Sequence, residues 1–140
     1  MTGALVDTGF LVALFNRRDR LQRAARKHLQ AYTYPLATVT PVIVETSFFL
    51  DARGKINLFE WILRGGLAIA ELPLDAYREL KPIILKYADR DIDLADAALI
   101  WLAGVSGCRN VLTVDERDFG IYRVKGNKRF ELIPWQGETA

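Results

Sequence analysis

Cysteine and histidine are scarce in this sequence of 140 residues, which contains one of each, Cys108 and His28. A single cysteine excludes a disulfide within the chain, as is common for proteins of reducing compartments. The same scarcity excludes a zinc site made of the usual nitrogen and sulfur ligands. His28 has charged and polar neighbours in the sequence, so we expect it on a solvated helix face.

Long apolar runs and phosphate-binding loops are also missing. The longest apolar runs, such as residues 97–105, are too short to cross a bilayer. The first residues do not form a basic leader followed by an apolar stretch, because Asp7 interrupts them. No glycine-rich loop of the Walker or dinucleotide-binding type is present. We therefore expect a cytoplasmic protein that does not enter a membrane.

The formal net charge of +2 is too small to indicate a nucleic-acid partner, but the positive charges are unevenly distributed. One basic stretch contains Arg17, Arg18, Arg20, Arg23, Arg26 and Lys27. A second contains Arg117, Arg123, Lys125, Lys128 and Arg129. If both face the same way, they form a basic rim that can hold a phosphate backbone. The alternative is that each is a solvated surface without a partner.

Short apolar runs alternate with longer helical patterns along the chain. The sequence predicts strands at residues 4–6, 35–39, 67–70, 110–114 and 130–133, with helices between them. Strands separated by helices pair in parallel through right-handed crossovers. We therefore predict a single α/β domain over residues 1–140. Its architecture would be a three-layer α/β/α sandwich with a central, mostly parallel five-stranded sheet.

Local signals set the expected helix boundaries. We expect Thr40 to cap a helix that carries residues 42–52 and is closed by Gly54, with Pro41 in its first turn. Asp75 is expected to cap a later helix, which Pro82 would kink.

Four acidic residues fall at or near the carboxyl ends of predicted strands, where ligands collect in parallel α/β folds. Asp7 follows the first strand and Asp115 the fourth. Glu45 lies early in the helix after the second strand, and Asp96 in the first turn of the helix before the fourth. Asp118 follows three residues after Asp115 and could join them.

Each acid also has a structural explanation. Asp7 could cap the next helix, and Asp93 with Asp96 could form a capping box. Glu45 is harder to explain in this way, because its helix is densely apolar and no lysine or arginine lies one turn away. Either Glu45 reaches water at the helix end or it faces a cation.

Several carboxylates gathered at one sheet edge repel one another, and this raises the pKa of one or more of them. A divalent cation removes that repulsion. With oxygen ligands only, Mg²⁺ or Mn²⁺ is the expected ion. Such an ion can bind phosphate and activate water, and a second ion can stabilise the leaving oxygen.

The ordered motifs resemble those of PIN domains over almost the whole chain. They are residues 5–8 before an apolar helix, residues 40–45, residues 93–99 and residues 112–119, which end in Asp118-Phe119. The chain length is similar to that of the VapC-type toxin ribonucleases of this family.

The resemblance implies a Mg²⁺- or Mn²⁺-dependent ribonuclease that leaves a 3′-hydroxyl and a 5′-phosphate. Asp7 and Asp96 would be the main metal ligands, and Glu45 and Asp115 would complete the catalytic acidic pocket. Around them, the implied supporting residues are Thr8, Thr113, Asp93 and Asp118, with Asp93 as the reserve candidate for the role of Asp96. Arg17, Arg18, Arg20 and Arg23 are candidate RNA contacts. The resemblance also implies a homodimer and a small cognate antitoxin whose tail enters the acidic pocket.

Two other functions compete with this one. A catalytically silent PIN-like module would only bind RNA or a protein, but such a module is expected to lose a carboxylate. A phosphoacceptor or phosphohydrolase domain would use Asp7 as nucleophile, with a second acid shortly after it. Asp7 is followed by Thr8, Gly9 and Phe10, which do not fit that chemistry.

Overall fold

Residues 3–137 are described in the computed structural model of the chain. The strands are β1 (Ala4–Val6), β2 (Leu36–Val39), β3 (Ala68–Ala70), β4 (Asn110–Leu112), β5 (Arg123–Val124), β6 (Lys128–Arg129) and β7 (Glu131–Leu132). Five of them form a sheet in the order β3-β2-β1-β4-β7, in which every pairing is parallel. β5 and β6 form a separate antiparallel ribbon. The predicted parallel five-stranded sheet is therefore confirmed.

The helices are α1 (Thr8–Phe15), α2 (Gln22–Ala31), α3 (Thr40–Ser47), α4 (Ala52–Leu63), α5 (Ala76–Lys86), α6 (Leu94–Ser106) and α7 (Glu116–Ile121). A short 3₁₀ turn covers Ala88–Arg90. β1 is fully buried, and so are most residues of α6, whose small Ala97 and Ala98 allow close packing. β1 is the middle strand of the sheet, and α6 packs against β2 in an adjacent helical layer. Asp7 directly follows β1, and Asp96 lies in the first turn of α6. Among the described residues, no helix is long and apolar enough to span a membrane.

The boundary between α3 and α4 differs from the prediction. Val39 occupies the capping position before α3, and Thr40 is already helical. α3 ends at Ser47, and Asp51 begins α4 by accepting a 2.8 Å hydrogen bond from the Gly54 N–H. Gly54 therefore does not close a helix. It lies inside α4, where an added Cβ would come 3.0 Å from a carbonyl oxygen of α1.

Two other local expectations need correction. Asp75 occupies the capping position before α5, as predicted, but its side chain makes no capping hydrogen bond and instead pairs with Arg78 at 3.2 Å on an exposed surface. His28 is buried rather than solvated, with Nε2 2.6 Å from the hydroxyl of Tyr34. The aromatic residues that follow α2 cover the imidazole, and its burial lowers the pKa of His28.

Candidate active site

The carboxyl ends of β1 and β4 meet at one edge of the sheet, because the two strands are parallel neighbours. The backbone N–H of Asp7 donates to the carbonyl of Leu112 at 3.0 Å, which ties the two strand ends together. A cleft of about 1390 Å³ opens at this edge. Its lining includes every acid proposed from the sequence: Asp7, Glu45, Asp93, Asp96, Asp115 and Asp118.

Asp7 lies at the floor of the cleft, with 6% of its surface exposed. The Thr113 hydroxyl donates to Asp7 Oδ2 at 2.8 Å and accepts from the Asp115 N–H at 2.9 Å. Burial raises the pKa of Asp7 to about 6, and the nearby charges of Glu45 and Asp115 add to the rise. The Asp7 side chain makes no capping bond to α1, so the geometry does not support its structural explanation.

Asp96 lies in the first turn of α6 and accepts a 2.7 Å hydrogen bond at Oδ2 from the hydroxyl of Tyr122. Burial raises its pKa to about 8, with further contributions from Asp7, Asp93 and Asp115. Asp93 caps α6 by accepting from the Asp96 N–H at 2.9 Å, which is one half of the predicted capping box. The carboxylate of Asp96 bonds to Tyr122 instead of reaching back to Asp93, and Asp96 lines the cleft.

Carboxylate oxygens of Asp96, Asp115 and Asp118 lie within 4.8 Å of one another. Asp115 accepts from the Asp118 N–H at 3.0 Å at the start of α7, so one helical turn brings these two acids together. Asp118 also pairs with Arg90, whose Nη2 is 3.0 Å from Oδ1. Asp118 thus belongs to this acidic group, whereas Asp7 lies outside the 4.8 Å group and acts on Asp96 through its charge.

Glu45 is half-buried on α3, where burial and the charge of Asp93 raise its pKa. The Thr8 hydroxyl is near enough to oppose that rise, yet it is buried without a hydrogen-bond partner among residues 3–137. The clustered carboxylates and this unpartnered buried hydroxyl together offer the oxygen atoms that a hard dication binds. The residues therefore fit Mg²⁺ or Mn²⁺.

The predicted basic contacts fall in different places. Arg18 and Arg20 line the cleft. Arg17 lies near Asp51, whose pKa is lowered mainly by the bond from Gly54 and further by this arginine. Arg23 lines a separate groove on α2 with Arg26 and Lys27. In the second basic stretch, Arg123 binds the last carbonyls of α7 and is thereby part of the local structure.

Two residues of the site were missed in the sequence. Tyr122 follows Asp118 at a spacing of one helical turn, so the pattern could have placed both on one face. Arg90 stands between Asp89 and Asp91, and a lone arginine within an acidic segment was a signal for an ion pair. The rim of the cleft is apolar, with six exposed large side chains: Val44, Phe48, Phe49, Tyr77, Leu94 and Val114.

Known proteins resemble this chain in sequence and in fold. The chain is similar to Ribonuclease VapC26 of Mycobacterium tuberculosis, at 28% identity over 134 residues that cover 93% of this chain and 99% of that protein. It is also similar to the crystal structure of VapC20 from Mycobacterium tuberculosis, a sarcin–ricin loop cleaving toxin. That match has a TM-score of 0.71 at 19% identity and covers 81% of this chain and 91% of the other.

A toxin–antitoxin complex from Klebsiella pneumoniae matches with a TM-score of 0.58 at 21% identity, over 83% of this chain and 89% of the other. At these identities the two solved structures show a shared fold. Residues 4–127 match the PIN domain family. This chain therefore belongs to the PIN domain family.

Proposed function

We propose that this chain is a metal-dependent ribonuclease that hydrolyses RNA phosphodiester bonds and acts as the toxin of a type II toxin–antitoxin pair. The convergence of the acidic side chains in one cleft, with raised pKa values for Asp7 and Asp96, carries the proposal. The whole-length similarity to a protein named as a ribonuclease supports it.

In this proposal Asp7 and Asp96 hold Mg²⁺ or Mn²⁺, and Asp115 and Asp118 offer additional oxygens within 4.8 Å of an Asp96 oxygen. When bound, the cation neutralises the carboxylates and stabilises negative charge that develops on the phosphate. Thr113 keeps Asp7 in one orientation through its 2.8 Å hydrogen bond, and Glu45 completes the negative pocket from α3. Thr8 supplies a hydroxyl that is free to bind water or the cation's ligands.

The arginines at the cleft bind the RNA backbone in the same proposal. Arg18 and Arg20 are placed to contact phosphates close to the site of cleavage, because they line the cleft. Arg17 and Arg23 would contact the backbone farther away.

A cleavage assay with purified protein tests the function. We expect labelled RNA to be cut in Mg²⁺ or Mn²⁺ but not in EDTA, with 3′-hydroxyl and 5′-phosphate ends. Asp7→Asn should abolish cleavage while the protein stays folded. Asp89→Asn is the matched control, because Asp89 is an exposed acid of the neighbouring loop. Cleavage by purified Asp7→Asn at the wild-type rate would refute the assignment and favour a contaminating nuclease.

The cleft also supports a protein partner. An acidic floor with an apolar rim fits an antitoxin segment that carries one basic side chain among apolar ones. We propose that such an antitoxin covers the cleft and that the toxin is a homodimer. Light scattering on the purified chain, alone and with the product of an adjacent small reading frame, tests both statements. A silent binding module would form the complex but would fail the cleavage assay.

A further inference from the structure

Resting on the proposed function, we infer that Tyr122 is a positioning residue that holds Asp96 against α7 and so sets the affinity of the site for its cation. The Tyr122 hydroxyl donates to Asp96 Oδ2 at 2.7 Å. This hydrogen bond occupies one of the two carboxylate oxygens. The other oxygen then has a defined direction.

Tyr122 is itself held rigidly. Only 1% of its surface is exposed. Its ring contacts Tyr87 edge-on at 5.0 Å and Phe119 at 5.1 Å between ring centroids. A side chain fixed on two sides by aromatic rings cannot follow Asp96 if that carboxylate moves, so it constrains Asp96 rather than adapting to it.

The two ends of α7 act on the same carboxylate. Asp115 precedes this six-residue helix, Asp118 lies in its first turn, and Tyr122 follows its last residue. The first two residues bring oxygens within 4.8 Å of Asp96, and Tyr122 bonds to it directly. Tyr122 therefore fixes the distance between Asp96 of α6 and the two acids at the start of α7. No pairing between strands determines this distance.

Tyr87 provides a matched control. It is a buried tyrosine in the same aromatic cluster, and its hydroxyl accepts a 2.7 Å hydrogen bond from the Arg123 N–H rather than contacting a carboxylate. Tyr87→Phe and Tyr122→Phe each remove one buried hydroxyl and keep the ring. A purely structural role for Tyr122 predicts similar effects for both variants.

Calorimetric titration with Mn²⁺, without RNA, tests the inference. Loss of a residue that orients a metal ligand commonly costs about 10- to 100-fold in affinity, which we expect for Tyr122→Phe and not for Tyr87→Phe. Cleavage by Tyr122→Phe should need more Mg²⁺ for half-maximal rate, with an unchanged KM for RNA. Wild-type Mn²⁺ affinity in Tyr122→Phe, with the two variants melting alike, would overturn the inference. Absence of Mn²⁺ binding by the wild-type protein would overturn the metal site of the proposed function as well.

Discussion

If Asp7 and Asp96 hold the cation as proposed, binding of Mg²⁺ at pH 7 should release about one proton per protein molecule, because these acids bind protons in its absence. The carboxylates must be ionised to bind a dication. Asp7 has a pKa of about 6 and Asp96 a pKa of about 8. Both values are above the ordinary range for aspartate because the side chains are buried among other acids.

The number of released protons follows from these two values. At pH 7 Asp96 is about nine-tenths protonated and Asp7 about one-tenth, which together give about one proton. At pH 6 the same values give about one and a half protons, and at pH 9 about one-tenth. The apparent Mg²⁺ affinity should therefore rise about tenfold from pH 6.5 to 7.5 and level off above pH 9.

Calorimetry in buffers with different ionisation enthalpies measures this proton release directly. The wild-type protein at pH 9 is the control, because Asp7 and Asp96 are already mostly ionised there. A heat of binding at pH 7 that is independent of the buffer would refute the reasoning. It would mean that the acids are ionised without the cation and that burial does not govern their protonation.

Three further predictions follow from the same geometry. The folded-state pKa values of Asp7 and Asp96 lie above their unfolded values, so their contribution to stability is full below about pH 4 and is lost as pH rises through about 6 and 8. The metal-free protein should thus have a lower Tm at pH 8.5 than at pH 5.5, and saturating Mg²⁺ should reduce this difference in Tm. A metal-free Tm that rises from pH 5.5 to pH 8.5 would contradict the predicted direction. Gly9→Ala should destabilise by about 1–3 kcal/mol in denaturant unfolding, because its Cβ would lie 2.2 Å from Val114 Cγ2. Gly120→Ala, whose Cβ meets nothing within 4 Å, is the control, and equal effects of the two would count against the close contact. Charge reversal of Arg18 and Arg20 should flatten the salt dependence of RNA binding by about two counterions, measured by fluorescence anisotropy, whereas an unchanged slope would remove them from the interface.

The sheet and the positions of its acids could be predicted because they follow from local patterns. Ala4–Val6 and Asn110–Leu112 are short apolar runs separated by helical segments, and such runs form parallel strands. Parallel neighbours end at the same edge, so Asp7 and Asp115 had to meet there. The predictions that depended only on strand ends were therefore the most accurate.

Contacts between elements that are distant in the sequence could not be predicted from local patterns. The hydrogen bond between Tyr122 and Asp96 joins residues 26 positions apart, and it depends on how α7 packs against α6. The burial of His28 depends likewise on Tyr34, which lies beyond the end of α2. The α3–α4 boundary was missed because Gly54 was interpreted as a helix end, while its role is close packing against α1.

The sequence left a choice between acids that cap helices and acids that bind a cation, but the two roles do not exclude each other. Asp115 accepts from the Asp118 N–H with Oδ1, and Asp93 accepts from the Asp96 N–H with Oδ1, so each acid caps a helix with one oxygen. A carboxylate has a second oxygen, and the capping bond fixes its direction. Capping also compensates part of the repulsion within the cluster, because a helix N-terminus stabilises a negative charge. Helix capping therefore helps to assemble the acidic cleft before any cation is bound.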